Sequence, residues 1–305
     1  MDRSAGGFAM ATFCIVSPSR WAHPDDIKTG ADIIRARGHR VIVHPQNGLS
    51  DGGRLAGSDQ ARANALMDAF RNNEVDIVLA ARGGTGALRI LKLLDWGLIR
   101  QHRKKFCGFS DITALLHALH QHGGIETFHG PVATSLARNE QARNDFFEVL
   151  AGTKTTWTAP GGKVARAGDA TGRLVGGNLT LLQSLLGTEY DWTSDDAILF
   201  IEESNEALYR IDRMLAHLKL AGKLESVRGF IFGESDIPDG RNAEPRQGDS
   251  PFGRSLAEIL REWLPGSIPI VTNFPCGHES YNTTLPVGVT ARLSAQNGAI
   301  KLSKV

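Results

Sequence analysis

Short apolar runs alternate with amphipathic stretches along the first half of the chain. The runs have the length and composition of buried strands, and the stretches between them repeat hydrophobic residues at helical spacing. Strands are predicted at 11–19, 39–45, 75–81, 105–109 and 125–131. Helices are predicted at 25–37 and at 58–72, with Ser58 as an N-cap, and after the third and fourth strands. Strands alternating with helices predict an α/β domain with a mostly parallel sheet and helices on both faces.

The pattern changes after residue 152. Residues 153–173 are polar, rich in glycine and short of leucine, which is typical of a linker or an exposed hairpin between domains. Later helices are predicted at 178–187 and 207–221, strands at 197–203 and 227–234, a surface loop at 236–251, and short strands near the end. We therefore expect an α/β domain at 1–152, a linker or hairpin at 153–173, and a smaller β-rich domain with helices at 174–305.

Charge and cysteine content exclude several classes of protein. The 305 residues include 34 basic and 33 acidic side chains, a net charge of +1, and no basic stretch suited to nucleic acid. The three cysteines, Cys14, Cys107 and Cys276, are far apart and form no CxxC pair, so we expect neither a disulfide framework nor a structural zinc site. This cysteine usage fits a reducing compartment.

The chain contains no apolar run long enough to span a bilayer. The run at 8–16 follows MDRSAGG, which carries no net positive charge, and no small-residue cleavage site comes after it. It is therefore interpreted as a first strand after a loose tail, and not as a signal peptide. We expect a cytoplasmic protein.

Ser110 lies where a predicted strand gives way to a helix, in the segment KKFCGFSDITALL. A serine at such a joint can be a nucleophile held at the carboxyl edge of the sheet, with the amide of Asp111 at the helix N-terminus available to an oxyanion. It can also be an ordinary helix N-cap, the alternative that the local sequence alone favours. The strict G-x-S-x-G pattern is absent, so the local sequence leaves both alternatives open.

A glycine loop, RGGTG at residues 82–86, joins the third strand to its helix. Such a loop can present backbone N–H groups to a phosphate or to the oxyanion of acyl transfer. It is neither G-x-G-x-x-G nor a P-loop. The glycines can also serve only to make a tight turn between strand and helix.

Carboxylates and a loop histidine are further candidates. Glu202, Glu203 and Glu206 follow a buried strand, where carboxylates can orient a histidine or stabilise the start of the next helix. His278 lies in a glycine-flanked loop and is either a catalytic base or a structural residue.

Three more histidines, His117, His120 and His122, lie in the helix after Ser110. They lack the H-E-x-x-H spacing, which favours a surface helix over a metal site.

Six ordered segments of the chain resemble the serine LD-carboxypeptidases, which trim murein tetrapeptides, and their microcin-immunity relatives. They are ARGGTGALRIL…LDW, CGFSDITALL, TFHGP, GGNLTLLQSLLGT, FIEESNEALYRIDRML and CGHE, and the resemblance runs from IVSPS near the start to TLPVG near the end. Six motifs in order are far more specific than any one of them.

The resemblance implies a Ser–His–Glu mechanism in a cleft between an α/β domain and a smaller β-rich domain. In that mechanism Ser110 attacks the peptide carbonyl, His278 takes and returns the proton, and Glu202 orients the histidine. The chain order Ser…Glu…His is one that such triads use.

The resemblance assigns further roles to the glycine loop. Backbone N–H groups of Gly84 and Asp111 would form the oxyanion hole, and Gly83 and Thr85 would contact substrate. It implies no cofactor or metal, a small muropeptide partner with no nucleic acid or membrane, and a homodimer.

Three positions depart from the family pattern and leave the substrate open. Thr85 stands where the family usually has tyrosine, Glu203 where it usually has aspartate, and Phe109 where murein-trimming members can carry histidine. The alternatives are a murein tetrapeptide or, for a microcin-immunity-type enzyme, a peptidyl-nucleotide. An aromatic face beside Ser110 would favour the nucleotide, and the tryptophan candidates are Trp21, Trp157 and Trp192. A non-catalytic protein binding an anion or a sugar is the alternative from another class.

Overall fold

The computed structural model describes residues 10–234, 253–279 and 281–305. The predicted loop at 236–251 lies outside the described residues.

The described strands are β1 Thr12–Val16, β2 Arg40–Val43, β3 Ile77–Ala80, β4 Lys105–Gly108, β5 Thr127–His129, β6 Thr156–Thr158, β7 Lys163–Arg166, β8 Gly168–Asn178, β9 Ala197–Glu202, β10 Gly229–Gly233, β11 Ile270–Phe274, β12 Leu285–Val287, β13 Thr290–Gln296 and β14 Ala299–Lys304. The described helices are α1 Pro24–Ala36, α2 Asp59–Arg71, α3 Ala87–Ile90, α4 Trp96–Gln101, α5 Thr113–Gly123, α6 Glu140–Ala151, α7 Leu179–Ser184, α8 Leu208–Leu220 and α9 Leu256–Trp263. Short 3-10 turns occupy Pro45–Gly48, Leu91–Leu93, Ser110–Ile112 and Ala133–Ser135.

The chain forms two compact units. The first comprises residues up to Lys154 together with Thr283–Leu285, and the second comprises Thr155–Asn282 and Pro286–Val305.

The first unit is the α/β layer that the alternating pattern predicts. Its six-stranded sheet has the order β12-β5-β4-β3-β1-β2, and the neighbours from β5 to β2 are parallel. Every residue of β1 and β3 is buried, as expected of central strands covered on both faces. Ser58 caps α2 by accepting a hydrogen bond from the Ala61 N–H, which confirms the predicted start of that helix.

The second unit is built on a mixed eight-stranded sheet. Its order is β6-β14-β13-β8-β9-β10-β11-β7. The central strands β8 to β11 are parallel, and the outer pairings are antiparallel. This mixed sheet with helices agrees with the predicted fold class.

Residues 153–173 contain more regular structure than their composition suggests. They include β6, β7 and the first part of β8, and β6 and β7 form the two edges of the second sheet. Exposure alternates along the beginning of β8, so its polar residues face solvent at every second position. Such half-exposed strands lack the apolar run that marks a buried strand.

Candidate active site

Ser110 follows β4 directly and adopts an unusual backbone conformation. Its φ is 63°, in the left-handed region that residues other than glycine seldom occupy. The N-cap of the 3-10 turn is Phe109 and that of α5 is Ile112, and neither makes a side-chain capping bond. Ser110 is therefore not a helix N-cap, and its strained conformation matches the sharp strand-to-helix turn of a nucleophile elbow.

The topology of the first sheet brings the glycine loop to Ser110. β3 and β4 are parallel neighbours, with Leu79 opposite Cys107, so their carboxyl ends share an edge. A Cβ placed on Gly83 would lie 2.9 Å from the Ser110 Cβ and 3.1 Å from the Phe109 carbonyl oxygen. The loop can therefore approach the serine this closely only without a side chain at Gly83.

The two N–H groups predicted for the oxyanion hole lie in this part of the first unit. Gly84 has a φ of 125°, and its Cβ position is only 2.7 Å from the Arg20 Cβ, so the loop requires glycine there. Within the described part of the chain, neither the Gly84 N–H nor the Asp111 N–H donates a hydrogen bond. Unpaired donors of this kind are what an oxyanion hole offers.

Glu202 and His278 are hydrogen-bonded to each other in the second unit. The His278 Nδ1 lies 2.6 Å from the Glu202 Oε2, and the Glu202 side chain is fully buried. The imidazole and the carboxylate are therefore placed to share one hydrogen between Nδ1 and Oε2. This pairing matches the orienting role predicted for Glu202.

A glycine at the end of β10 lets these two side chains meet, although β10 separates β9 from β11 in the sheet. Glu202 ends β9, and His278 follows β11. At the end of β10, a Cβ on Gly233 would lie 2.0 Å from the Cys276 carbonyl oxygen and 3.0 Å from the Glu202 Cβ. Since any side chain at Gly233 would collide with the histidine loop, glycine is needed there.

Glu203 is bonded to different residues. Its carboxylate accepts hydrogen bonds from the Thr180 N–H, the Thr180 hydroxyl and the Asn178 amide, at 2.9, 2.7 and 3.1 Å. Burial, and then the charge of Glu202, raise the pKa of Glu203. Glu203 therefore fastens the end of β9 to the start of α7. Glu206, the third acid of this stretch, pairs at 3.5 Å with Arg210 in α8.

The remaining predicted residues lie apart from these contacts. In α5, His117 is buried and His120 contacts the Ile125 carbonyl oxygen. Among the described residues, no three His, Cys, Asp or Glu side chains are arranged to hold a metal ion. None of the described helices has both the length and the apolar character to cross a bilayer. The cysteines Cys14, Cys107 and Cys276 are free thiols, all buried.

Family models match most of the chain. The model described as the LD-carboxypeptidase N-terminal domain matches residues 14–130, and that of the LD-carboxypeptidase C-terminal domain matches residues 171–293. The chain belongs to the LD-carboxypeptidase family. It is a serine-type carboxypeptidase, a hydrolase, and not the non-catalytic binding protein considered above.

Individual LD-carboxypeptidases and a microcin-immunity protein resemble it over nearly their full length. The "Probable murein peptide carboxypeptidase" of Bacillus subtilis is 36% identical over 290 residues, covering 93% of this chain and 88% of that protein. The solved muramoyltetrapeptide carboxypeptidase from Oxalobacter formigenes is 30% identical with a TM-score of 0.80, covering 96% of this chain and 98% of the other. The "Microcin C7 self-immunity protein MccF" of Escherichia coli is 25% identical over 335 residues, covering 98% and 94%.

Sequence reasoning missed a buried polar network beside the glycine loop. Ser19, in the turn after β1, and the side chain of Asp111 are hydrogen-bonded to each other and to that loop. The only signal in the sequence is the pair of serines in IVSPS at the end of a strand. Nothing in their spacing relates them to residues about 90 positions away.

Proposed function

We propose that this LD-carboxypeptidase hydrolyses the L,D-peptide bond before the terminal D-alanine of murein tetrapeptides through an acyl-enzyme on Ser110. The observation that carries the proposal is the strained Ser110, held against a glycine loop, together with the unpaired N–H donors of Gly84 in that loop and of Asp111 after the serine. The murein carboxypeptidases of B. subtilis and O. formigenes support the choice of substrate.

In the proposed acylation step, the Ser110 Oγ bonds to the scissile carbonyl carbon while its proton passes to the His278 Nε2. The tetrahedral intermediate collapses by breaking the C–N bond, and His278 delivers the proton to the departing D-alanine amine. In deacylation, a water molecule repeats the attack with His278 again as base, which frees the tripeptide and restores the Ser110 hydroxyl.

The other predicted groups stabilise charge along this path. The Glu202 carboxylate keeps the imidazole oriented and stabilises the imidazolium that forms. The N–H groups of Gly84 and Asp111 donate to the oxyanion, and each such donor contributes on the order of 3–4 kcal/mol in the transition state. Gly83 and Thr85 line the approach of the substrate.

Positive charge on neighbouring loops supports a substrate with a free terminal carboxylate. Arg20, Arg82 and Arg138 lie on the loops that follow β1, β3 and β5, at the sheet edge that carries Ser110. Partial burial, and then the guanidinium groups of Arg20 and Arg138, lower the pKa of Arg82, an effect that Asp26 partly offsets. Within the described residues, no carboxylate forms an ion pair with any of the three.

We also propose that the enzyme acts in the cytoplasm, as a homodimer, in the recycling of cell-wall peptides. Three free, buried thiols are compatible with a reducing compartment. Sedimentation equilibrium of the purified protein measures the subunit number directly, and a monomer at micromolar concentration would remove the dimer from the proposal.

A peptidyl-nucleotide is the alternative substrate, and the similarity to MccF favours it. The aromatic residues give it less support. Trp157 and Trp192 are buried, and Phe109 is 7% exposed with its ring edge-on to His129, so none of these rings offers a face to a nucleobase. Trp21 is half-buried on the loop that also carries Arg20.

The proposal is tested by measuring D-alanine release from a murein tetrapeptide with wild-type enzyme and with Ser110→Ala. We expect the variant to lose about 10⁴-fold or more in kcat while its fold persists. The same peptide with an amidated C-terminus is expected to be a poor substrate, and a peptidyl-nucleotide is assayed in parallel. Equal D-alanine release by the two proteins would exclude Ser110 as nucleophile, and faster cleavage of the nucleotide would select the alternative substrate.

A further inference from the structure

Three neighbouring strands of the first sheet end beside one another. In the order β4-β3-β1, the turn with Asp111 follows β4, the glycine loop follows β3, and the turn with Ser19 follows β1. The strands are parallel, so all three connections emerge at the same edge, with the glycine loop in the middle.

Hydrogen bonds join the two outer connections to each other and to the glycine loop. The Ser19 Oγ lies 2.5 Å from the Asp111 Oδ2 and 3.0 Å from the Thr85 carbonyl oxygen, and its proton is shared between these acceptors. The same Asp111 Oδ2 accepts a hydrogen bond from the Ala87 N–H at 2.8 Å. The contacts therefore hold the loop at Thr85, next to Gly84, and at Ala87, where it enters α3.

These groups are shielded from water. Ser19 is fully buried and Asp111 is 4% exposed. The buried guanidinium of Arg62 reinforces the arrangement, because it donates to the Pro18 carbonyl oxygen at 2.6 Å and to the Gly86 carbonyl oxygen at 2.9 Å. Buried hydrogen bonds of this kind fix geometry because a lost partner leaves a polar atom unsatisfied.

We infer that the Ser19 hydroxyl and the Asp111 carboxyl are positioning groups. They hold the Gly84 N–H and the Asp111 N–H at the positions from which both can donate to the oxyanion. The inference rests on the proposed function. Asp111 then has two roles: its main-chain N–H donates to the oxyanion, while its side chain fixes the loop that supplies the other donor. Misplacing a donor by about 1 Å costs on the order of 100-fold in rate.

Ser17 provides a matched control for Ser19. It lies two residues earlier in the same turn and is equally buried, but its hydroxyl donates to the Asn47 Oδ1 at 2.6 Å, on the connection after β2. Each of Ser19→Ala and Ser17→Ala removes one buried hydroxyl that donates to a side-chain oxygen. We expect similar losses of stability from both, so stability alone does not separate them.

The experiment measures kcat, KM and the affinity of a peptide boronate, which forms a tetrahedral adduct on the serine. We expect Ser19→Ala to lower kcat about 10- to 100-fold, to weaken the boronate by a similar factor and to leave KM nearly unchanged. Ser17→Ala is expected to keep kcat within about twofold of wild type. Asp111→Ala, which retains the backbone N–H, should reduce kcat as Ser19→Ala does, and the double variant should be no slower than Asp111→Ala alone.

The outcomes separate this inference from the proposed function. If Ser110→Ala is inactive while Ser19→Ala and Ser17→Ala share the same kcat, the positioning role is overturned and the nucleophile stands. A multiplicative loss in the double variant would also overturn the role, because it would mean that the two groups act independently. Full activity of Ser110→Ala would overturn the proposed function itself.

Discussion

Glu202 and Glu203 show how two adjacent acids at the end of one strand acquire different environments. Glu202 is the last residue of β9, and Glu203 comes directly after the strand. One meets the His278 imidazole, and the other meets Asn178 and Thr180 at the start of α7. The sequence Glu-Glu alone does not show which of the two acids hydrogen-bonds to the histidine.

Replacing each acid by its amide distinguishes the roles of the two carboxylates. Glu202→Gln removes the carboxylate that holds the Nδ1 proton of His278, so we expect kcat to fall about 10³- to 10⁴-fold with the fold retained. Glu203→Gln perturbs only the anchoring of α7, and its main effect should be on stability. Steady-state kinetics and thermal unfolding of both variants are the measurement, and a larger kcat loss for Glu203→Gln would reverse the assignment.

The buried Glu203 also predicts how stability depends on pH. Its pKa is raised in the folded state, chiefly by burial, so the folded protein binds a proton more readily than the unfolded chain. The stabilisation from this group is therefore complete below the unfolded pKa of about 4.3 and is lost as pH rises through the folded pKa. Urea unfolding from pH 4 upward should show wild type losing stability relative to Glu203→Gln. A relative gain with rising pH would contradict the sign.

At the scale of elements, the contact between the glycine loop and the turn after β4 depends on the absence of a side chain at Gly83. Gly83→Ala places a methyl group against both the Ser110 side chain and the Phe109 carbonyl, so one of the two segments must move. We expect kcat to fall about 10- to 100-fold. Gly48→Ala is the control, because nothing lies within 4 Å of its Cβ position. Equal activity of the two variants would show that the close approach is dispensable.

The elements differ in how well the sequence predicts them. The buried strands β1 and β3 and the helix α2 follow from apolar runs and a capping serine. The segment with β6, β7 and the start of β8 does not, because strands at a sheet edge or with one exposed face keep polar residues and glycines. Their pairing depends on partners far along the chain, and a local pattern contains no information about them.

At the scale of the whole molecule, the two units are not consecutive in sequence. The chain returns at Thr283–Leu285 to complete the first unit. There the Thr283 hydroxyl donates at 2.6 Å to the fully buried carboxylate of Asp145, which also accepts a hydrogen bond from the Gln141 amide at 3.0 Å and pairs with Lys154 at 2.7 Å. A carboxylate buried this deeply needs such polar partners.

The hydrogen bond from Thr283 to Asp145 is tested by Thr283→Val, which keeps the side-chain shape and removes the hydroxyl. We expect the free energy of unfolding to fall by about 1–3 kcal/mol, because a buried charged acceptor loses a donor. Thr283→Ser should restore much of the loss, and Thr290→Val at an exposed position of β13 should have little effect. Urea denaturation measures all three, and an unchanged midpoint for Thr283→Val would contradict the proposed anchoring.

The candidate site was only partly predictable, for reasons that also belong to the whole molecule. Ser110, Glu202 and His278 could be named because each stands in a motif at a strand end. The Ser19–Asp111 contact could not, because it joins the ends of β1 and β4, and their proximity depends on the strand order of the sheet.

The most direct test of the account is a pre-steady-state measurement with a depsipeptide, a murein tetrapeptide analogue in which D-lactate replaces the terminal D-alanine. An ester acylates serine faster than an amide, so the acyl-enzyme should accumulate. We predict a burst of about one D-lactate per active subunit with wild type, an acyl ester located on Ser110 by mass spectrometry, and no burst with Ser110→Ala. A burst of the same size in Ser110→Ala would contradict the central claim that this serine is the nucleophile.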